Sequence, residues 1–407
     1  MLVSREKYLS KIRPFYDLDI IKVLIGSRRS GKSKILELIQ NELILNNVSK
    51  DHIIYMNFEN LEYEDISDYK SLNNYIMSKI QHGKYYLFFD EIQHVKNFEK
   101  AINSFRVTFD CSIFITGSNS KLLSSEISTL LTGRIIEFTI YPFSYDESIE
   151  YRKINQIDIH EDSFYDYLKL GGYPFRFNLK KEQDVKAYLE ELYSNIFEKD
   201  IYSRDLVLEK EKFNKVSQYI LLNAGCDFNP ETIYNYLKSN NKGKEYCSLS
   251  SIYNYIEKLE KSFIIKRINR YNISGKEILK SNPKYYAIDN GFRTIKSNSN
   301  DYNRGNSLEN LVCIELLSRG YNVYVGKTYK GEVDFVAEKN GRKCFIQVAY
   351  IMETEETVNR EFLAFGPIKD ASPKYVISLD KIDMSRNGII HINLIDFLEG
   401  KIDLFLS

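Results

Sequence analysis

The chain has 407 residues, more than one ordinary hydrophobic core accommodates, so we expect two or three domains. Its 56 basic and 56 acidic residues cancel, which excludes a chain-wide positive field that would draw the protein onto nucleic acid. Five cysteines lie far apart with no CxxC pair, which argues against a zinc cluster or a disulfide framework. The charged amino terminus lacks an apolar signal region, and no long apolar run follows, so we expect a cytoplasmic protein without membrane contact.

A glycine-bounded basic loop lies between a predicted strand and a predicted helix near the start of the chain. "DIIKVLIG" has the β-branched composition of a buried parallel strand, and "KSKILELIQNELILN" has apolar residues at helical spacing. The loop fits the phosphate-binding pattern G-x-x-x-x-G-K-[ST] in full, because its glycines allow backbone N–H groups to turn toward one anion. We expect nucleotide contacts from the following residues: Gly26, Ser27, Arg28, Arg29, Ser30, Gly31, Lys32, Ser33 and Lys34.

Two side chains of this loop have the chemistry for particular roles in binding ATP. Lys32 would reach the β- and γ-phosphates, and the Ser33 hydroxyl would bind Mg²⁺. Arg28 and Arg29 occupy variable positions of the pattern, where solvated charge is the simpler interpretation. A flexible basic turn is the alternative for the whole loop, but it would not explain the strand before it and the helix after it.

A second predicted strand ends in paired carboxylates. "KYYLFFDEIQHV" is an aromatic and aliphatic run that ends in Asp90 and Glu91, roughly 60 residues past the loop. We expect Asp90 to hold Mg²⁺ through water and Glu91 to polarise the attacking water. Glu91 favours hydrolysis over binding alone, because a site that only holds nucleotide needs no general base.

Further polar residues follow at the same predicted edge of the sheet. After the predicted strand from Ser112 to Thr116, Ser118 and Asn119 are candidates to orient the lytic water, with an ordinary polar turn as the alternative. Arg134 opens the next strand and is a candidate to stabilise transition-state charge, in its own subunit or in a neighbour's. A structural role is the alternative for this arginine.

Taken in order, the phosphate loop, "FFDEIQ", "ITGSNS", "LLTGR" and "YPFSYDE" resemble the prokaryotic AAA-type ATP-binding proteins that carry a C-terminal domain of unknown function. The resemblance covers nearly the whole chain, and Ser33 stands where threonine is commoner. It implies an α/β P-loop NTPase core over residues 1–142, with ATP and Mg²⁺ as ligands. Its parallel sheet would have five strands in the AAA (ASCE-type) order, in which one strand separates the Asp90 strand from the loop strand.

The middle of the chain is predicted to be helical. A helical connector is expected over residues 143–202 and a winged helix over 203–296, because three helical patterns there precede two strand-like segments. Ser248 or Ser250 would cap the third of these helices. Residues 258–296 carry ten basic and three acidic residues, so double-stranded DNA is a candidate partner through residues 248–296, with protein docking as the alternative.

Residues 297–407 resemble the core of restriction-endonuclease-like α/β domains, because a helical pattern is followed by three strand patterns. In such domains a helix glutamate, an aspartate at a strand end and an E-x-K triplet on the next strand cluster around Mg²⁺. The resemblance places Glu309 and Asp334 at the first two positions.

The E-x-K position departs from that pattern. It reads Gln347-Val348-Ala349, so Gln347 keeps an oxygen without charge and Ala349 supplies no ammonium. We therefore expect a degenerate domain that keeps the fold and has lost cleavage, unless Lys327 or Lys343 substitutes from elsewhere.

Three classes of function fit these patterns. The first, which we favour, is an ATPase whose nucleotide cycle moves the C-terminal domains on a partner, with DNA as the candidate. The second is a nucleotide-dependent regulatory switch that docks proteins, and the third is an ATP-gated nuclease, against which Ala349 argues. Self-association stays open, because a ring would need Arg134 or another arginine to reach the next subunit.

Overall fold

The computed structural model describes residues 2–117, 131, 133–205, 208–297 and 304–405. The chain forms two compact units, Met1–Tyr141 and Pro142–Ser407, which we call the N-terminal unit and the C-terminal unit. No helix within the described residues combines the length and the apolarity that crossing a membrane requires.

A parallel sheet of five strands forms the centre of the N-terminal unit, in the order β2-β3-β4-β1-β5 among the residues described. The strands are β1 Ile21–Ile25, β2 Ile53–Asn57, β3 Tyr85–Asp90, β4 Cys111–Gly117 and β5 Ile135–Thr139. Strands β1, β3 and β4 are buried along their whole length, as their apolar runs require of central parallel strands. Strand β4 separates β3 from β1, which confirms the strand order that the family resemblance implies.

The helices of the N-terminal unit fix the phosphate loop to this sheet. They are α1 Glu6–Ile12, α2 Lys32–Leu45, α3 Tyr69–Lys79 and α4 Phe98–Thr108. Helix α2 buries Ile35, Leu36 and Ile39 in a core that also contains Phe88 and Phe114 of the sheet. Since α2 follows the loop directly, this packing holds the loop at the carboxyl edge of the strands.

The C-terminal unit begins with helices and ends in an α/β arrangement. Its helices are α5 Tyr145–Ile154, α6 Ser163–Leu170, α7 Glu182–Ile196, α8 Lys210–Leu222, α9 Pro230–Asn240, α10 Leu249–Lys261, α11 Asn290–Lys296, α12 Arg304–Ser318, α13 Glu355–Leu363 and α14 Leu394–Leu398. The Ser248 hydroxyl accepts the backbone N–H of Ser251 at 3.2 Å, so Ser248 rather than Ser250 caps α10.

The strands of the C-terminal unit form one mixed sheet, in the order β12-β11-β10-β9-β8-β6-β7 within the described ranges. They are β6 Ile265–Asn272, β7 Glu277–Ala287, β8 Asn322–Lys327, β9 Glu332–Lys339, β10 Arg342–Val348, β11 Lys374–Ser378 and β12 Ile389–Asn393. The β6–β7 hairpin, predicted as the wing of residues 203–296, pairs through β6 with β8 in parallel register. The hairpin therefore shares its sheet with the strands of residues 297–407, and the finer domain division stays a prediction.

Candidate nucleotide-binding site

The backbone of the phosphate loop takes conformations that favour glycine at two points. Gly26 has a φ of 147°, and a Cβ added there would lie 2.2 Å from the carbonyl oxygen of Ile140. Gly31 has a φ of 98° immediately before α2, and Arg29 between them has a φ of 62°. A side chain at Gly26 would force the loop away from the sheet edge, so glycine is required there.

The loop and the first turn of α2 carry hydrogen-bond donors that an anion could use. Helix α2 has no side-chain cap within the part of the chain that the structure describes, and the N-terminus of a helix is a general site for an anion. The Ser30 hydroxyl is fully buried and has no hydrogen-bond partner among the described residues. Lys32 is buried, and its ammonium donates to the carbonyl oxygens of Gly26 and Ser27, at 3.0 Å each. These residues fit a phosphate chain, because a buried hydroxyl and a buried positive charge lie at a helix N-terminus, where the helix dipole is positive.

The other predicted loop ligands are more exposed. Ser33 is exposed at the second residue of α2. The Arg28 guanidinium lies 3.7 Å from Glu59 Oε1. The ammonium of Lys34 is exposed and pairs with Glu37 Oε2 at 2.7 Å, so its side chain is directed along α2.

Asp90 ends β3 with its carboxylate held from two neighbouring strands. The side chain is buried, Tyr55 Oη on β2 donates to Asp90 Oδ2 at 3.0 Å, and Thr116 Oγ1 on β4 donates to Asp90 Oδ1. Burial and the Asp90 carboxylate raise the pKa of Tyr55 well above its ordinary value, so Tyr55 remains a neutral donor. The Asp90 carboxylate is thereby fixed in orientation before any metal binds.

Glu91 is held through both its backbone and its side chain. Its φ of 54° is left-handed, which is strained for a residue with a Cβ. Its N–H donates to Thr116 Oγ1 at 3.0 Å, and its Oε2 accepts from Gln93 Nε2. The base candidate thus lies next to Asp90 at the same sheet edge as the loop.

Sequence reasoning missed Tyr55, Thr116 and Gln93. Thr116 and Gln93 lie inside the quoted motifs "ITGSNS" and "FFDEIQ", so a search for polar residues within those motifs could have found them. Tyr55 carries no such signal, because its contact with Asp90 depends on β2 lying beside β3.

Arg134 does not lie at the phosphate loop of its own chain. Its carbonyl accepts the N–H of Ile21, the first residue of β1, whereas the loop follows the last residue of that strand, about 15 Å away. Its guanidinium donates to Asn103 Oδ1 at 2.6 Å. This position favours a role toward a neighbouring copy over one in its own subunit, and the catalytic role of Arg134 stays a prediction. Ser118 and Asn119 lie outside the described residues.

The second set of predicted site residues does come together, in the C-terminal unit. Tyr286 Oη donates to Glu309 Oε1 at 2.7 Å, and Lys284 Nζ lies 3.8 Å from the same oxygen. Burial raises the pKa of Glu309. Burial also raises the pKa of Asp334 well above its usual range, and the nearby Glu309 carboxylate adds to that shift. Both shifts disfavour the charged carboxylates that a divalent cation needs.

Gln347 is hydrogen-bonded to neighbouring residues through both ends of its amide. Its Oε1 accepts the N–H of Asp334 at 3.3 Å, and its Nε2 donates to Glu361 Oε2 at 2.9 Å. Across the described ranges, no group of three or more His, Cys, Asp or Glu side chains could hold a metal ion. The fold of this region therefore lacks a formed metal centre among those residues.

Neither lysine proposed as a substitute reaches these acids. Lys343 pairs with Asp370 Oδ2 at 2.7 Å, and Lys327 is exposed. The lysine that does approach them, Lys284, comes from β7, outside the segment in which we expected it.

The structure also changes the meaning of the basic surplus in residues 258–296. Among those basic side chains that the structure describes, three are buried: Arg270, Lys284 and Arg293. Two more pair with carboxylates, Lys258 with Asp205 and Lys261 with Glu257. The charge that a DNA backbone could reach is therefore smaller than the sequence count indicates, and Arg267 and Lys276 are among the exposed remainder.

The sheet order, the phosphate loop and the Asp90–Glu91 pair together define a P-loop nucleotide-binding protein of the AAA type. A family model described as an AAA domain matches residues 19–149. Two models of domains of unknown function, DUF8612 and DUF4143, match residues 161–301 and 304–397.

The chain belongs to a family of AAA-type P-loop proteins with C-terminal domains of unknown function. An uncharacterized protein of Haemophilus influenzae is 36% identical over 403 residues, which cover 98% of both chains. An uncharacterized protein of Methanocaldococcus jannaschii is 34% identical over 384 residues, covering 89% of this chain and 81% of that one.

Similar solved structures include archaeal and bacterial proteins at low identity. The ORC2 protein of Aeropyrum pernix in ADPNP–ADP complexes is 11% identical, with a TM-score of 0.39 over 76% of this chain and 91% of that chain. DnaA of Aquifex aeolicus bound to AMPPCP is 12% identical, with a TM-score of 0.33 over 62% and 85%. At these scores the likenesses carry no inference about ligand or partner.

Proposed function

We propose that the N-terminal unit binds ATP in the phosphate loop and hydrolyses it in a reaction that depends on Mg²⁺. The observation that carries the proposal is the meeting, at one sheet edge, of the buried Lys32 and Ser30 with the carboxylates of Asp90 and Glu91. A loop that bound no phosphate would gain nothing from burying an ammonium and an unpartnered hydroxyl at a helix N-terminus.

The loop residues would bind the phosphates by exchanging partners. Lys32 would transfer its ammonium from the carbonyl oxygens of Gly26 and Ser27 to the β- and γ-phosphates. The Ser33 hydroxyl and the Asp90 carboxylate would hold Mg²⁺, which when bound neutralises charge that develops on the phosphates. The remaining binding energy would come from N–H groups of the loop and of the first turn of α2.

Glu91 would act as the general base. Its carboxylate would accept a proton from the water that attacks the γ-phosphorus, while the bond to the β,γ-bridging oxygen breaks and ADP leaves. Gln93 donates to one oxygen of this carboxylate, which would keep the other oxygen directed toward the water. The rate of ATP hydrolysis distinguishes such an ATPase from a slow regulatory switch, which would hydrolyse ATP at a negligible rate without its partner.

Substitution of Lys32 and Glu91 tests the proposal. We expect Lys32→Ala to bind ATP with an affinity at least about 10-fold lower. Glu91→Gln should bind ATP normally but hydrolyse it about 100-fold more slowly. Lys50→Ala, an exposed lysine of the same unit, is the matched control and should behave as wild type. Equilibrium binding of a fluorescent ATP analogue and release of phosphate measure the two steps. Normal binding by Lys32→Ala, or normal hydrolysis by Glu91→Gln, would refute the corresponding assignment.

We further propose that the nucleotide cycle moves the C-terminal unit on a partner, with duplex DNA as the first to test. Exposed Tyr253 and Asn254 on α10 and exposed Arg267 and Lys276 on the hairpin support this proposal, because aromatic, amide and cationic groups suit bases and phosphates. Duplex DNA should raise the rate of ATP hydrolysis, and the double variant Arg267→Ala/Lys276→Ala should weaken the effect. A rate unchanged by duplex and by single-stranded DNA would favour the protein-docking alternative.

A further inference from the structure

One buried hydroxyl connects the two neighbouring carboxylate residues of the proposed site. Thr116 is fully buried near the carboxyl end of β4. Its Oγ1 accepts the backbone N–H of Glu91 at 3.0 Å and contacts Asp90 Oδ1. Because a backbone N–H can only donate, the hydroxyl proton must point to the Asp90 carboxylate.

The sheet explains why this position reaches both residues. Strand β4 lies between β1 and β3, with Thr116 opposite Leu24 of β1 and Ile115 opposite Phe89 of β3. The residue after Phe89 is Asp90, so the register brings Thr116 beside the end of β3. The side chains of Phe114 and Ile115 are apolar and buried, so the Thr116 hydroxyl is a polar group that follows an apolar stretch and needs the partners that Asp90 and Glu91 supply.

We propose that Thr116 is a positioning residue for ATP hydrolysis, which keeps the metal-binding carboxylate of Asp90 and the base Glu91 in a fixed relation to each other. The inference rests on the function proposed above. Tyr55 also donates to Asp90, at 3.0 Å, but among the described contacts only Thr116 engages Asp90 and Glu91 together. The hydroxyl therefore sets the orientation of the Asp90 carboxylate and supports the strained left-handed backbone of Glu91.

Removing the hydroxyl alone distinguishes the positioning role of Thr116 from a contribution of its side chain to packing. Thr116→Val keeps the shape of the side chain but leaves the N–H of Glu91 without its acceptor and Asp90 without one of its donors. The Asp90 carboxylate could then rotate, and the backbone of Glu91 could relax from its left-handed conformation. Both the metal requirement and the rate should change, whereas ATP binding without metal should not, because the phosphate loop contacts the nucleotide through other residues.

The experiment compares Thr116→Val with Thr116→Ser, which restores the hydroxyl. We expect Thr116→Val to lower kcat by about 10–100-fold and to raise the Mg²⁺ concentration for half-maximal ATP binding by at least about 3-fold. Thr116→Ser should stay within about 3-fold of wild type in both. Metal-free ATP affinity should be the same in all three proteins.

Two results would overturn the inference. One is wild-type kcat and Mg²⁺ dependence in Thr116→Val. The other is an equal loss of rate in Thr116→Val and Thr116→Ser with an unchanged Mg²⁺ midpoint, which would indicate a structural role. If wild type binds ATP but does not hydrolyse it, the Mg²⁺ concentration for half-maximal ATP binding still tests the inference, because Thr116→Val should raise that concentration. If wild type hydrolyses ATP and Thr116→Val hydrolyses it at the same rate with the same Mg²⁺ dependence, the inference is refuted and the proposed function stays intact.

Discussion

The ammonium of Lys284 on β7 lies 3.8 Å from Glu309 Oε1 on α12, and the same ammonium is 3.5 Å from Glu332 Oε2 on β9. Lys284 is buried, and Arg270 on β6 also pairs with Glu332. The hairpin β6–β7 thus supplies positive charge to one acid of α12 and one of β9. In the nuclease pattern, a metal and the lysine of the E-x-K triplet would lie near Glu309, and Ala349 stands at the position of that lysine. We interpret this group as an internal ion cluster that joins the hairpin to α12.

Loss of the Lys284 ammonium should destabilise the protein. Lys284→Met removes the charge while keeping most of the apolar stem, so the partly buried carboxylates of Glu309 and Glu332 lose compensation. We expect the free energy of unfolding to fall by about 2–4 kcal/mol, measured by urea denaturation. Lys276→Met, at an exposed position of the same hairpin, is the matched control and should change it by less than about 0.5 kcal/mol. Equal stability of the two variants would contradict the ion-cluster interpretation.

The same geometry predicts that the C-terminal unit does not cleave DNA. The amide of Gln347 is engaged on both sides, and burial together with Glu309 raises the pKa of Asp334, which disfavours the charged carboxylate that a hard cation needs. Supercoiled plasmid should stay intact with the wild-type protein in Mg²⁺ or Mn²⁺, with or without ATP. Cutting that Asp334→Ala abolished would restore the nuclease hypothesis, whereas cutting that survived in Asp334→Ala would indicate a contaminant.

The sequence predicted those features that depend on neighbours along the chain. The strand before the phosphate loop, helix α2 after it and the Ser248 cap of α10 were all recognisable, because periodicity, glycine placement and capping act over a few residues. The strand order of the N-terminal sheet came from the family resemblance and is confirmed by the pairing of β4 with β1 and β3.

Features that depend on pairing between distant segments were missed. The parallel pairing of β6 with β8 joins Arg270 to Val325, and no local pattern marks two such strands as partners. That pairing brings the hairpin to the acids and makes Lys284, rather than Lys327 or Lys343, the lysine beside Glu309. The basic count of the hairpin misled for the same reason, since counting charges cannot distinguish a buried, paired side chain from an exposed one.

Arg134 allows a test of whether neighbouring copies complete the site. Because it lies at the amino edge of the sheet, away from its own loop, we expect any action of Arg134 on ATP to take place in another copy. Arg134→Ala should bind ATP normally and lose at least about 10-fold in kcat. Mixing it with inactive Glu91→Gln should restore part of the activity, because some interfaces then pair an intact Glu91 with an intact Arg134.

The control for this mixing experiment removes the contact that Arg134 makes within its own chain. Asn103→Ala deletes the acceptor that Arg134 uses at 2.6 Å within its own chain. If Arg134 serves only to hold α4, Asn103→Ala should reproduce the defect of Arg134→Ala, and mixing with Glu91→Gln should restore nothing. That pair of results would assign the arginine a structural role.

Asp289 predicts a pH dependence of stability in the C-terminal unit. Its buried carboxylate accepts the N–H of Gly172 at 2.7 Å and that of Gly291 at 2.8 Å. Burial raises the pKa of Asp289 to about 6, although these two hydrogen bonds and the charge of Arg176 oppose the shift. The folded state therefore holds the proton more tightly than the unfolded state does, so the stability that Asp289 contributes is fully present below its ordinary pKa and is lost as the pH rises through about 6.

Asp289→Asn, which cannot titrate, isolates this effect. Between pH 5 and pH 7.5 the free energy of unfolding of wild type should fall relative to that of the variant by about 1 kcal/mol, because the other titrating groups are common to both proteins. Urea denaturation at several pH values measures the difference. A difference that stays constant across this range would show that Asp289 titrates near its ordinary pKa, in spite of its burial against the backbone of Gly172 and Gly291.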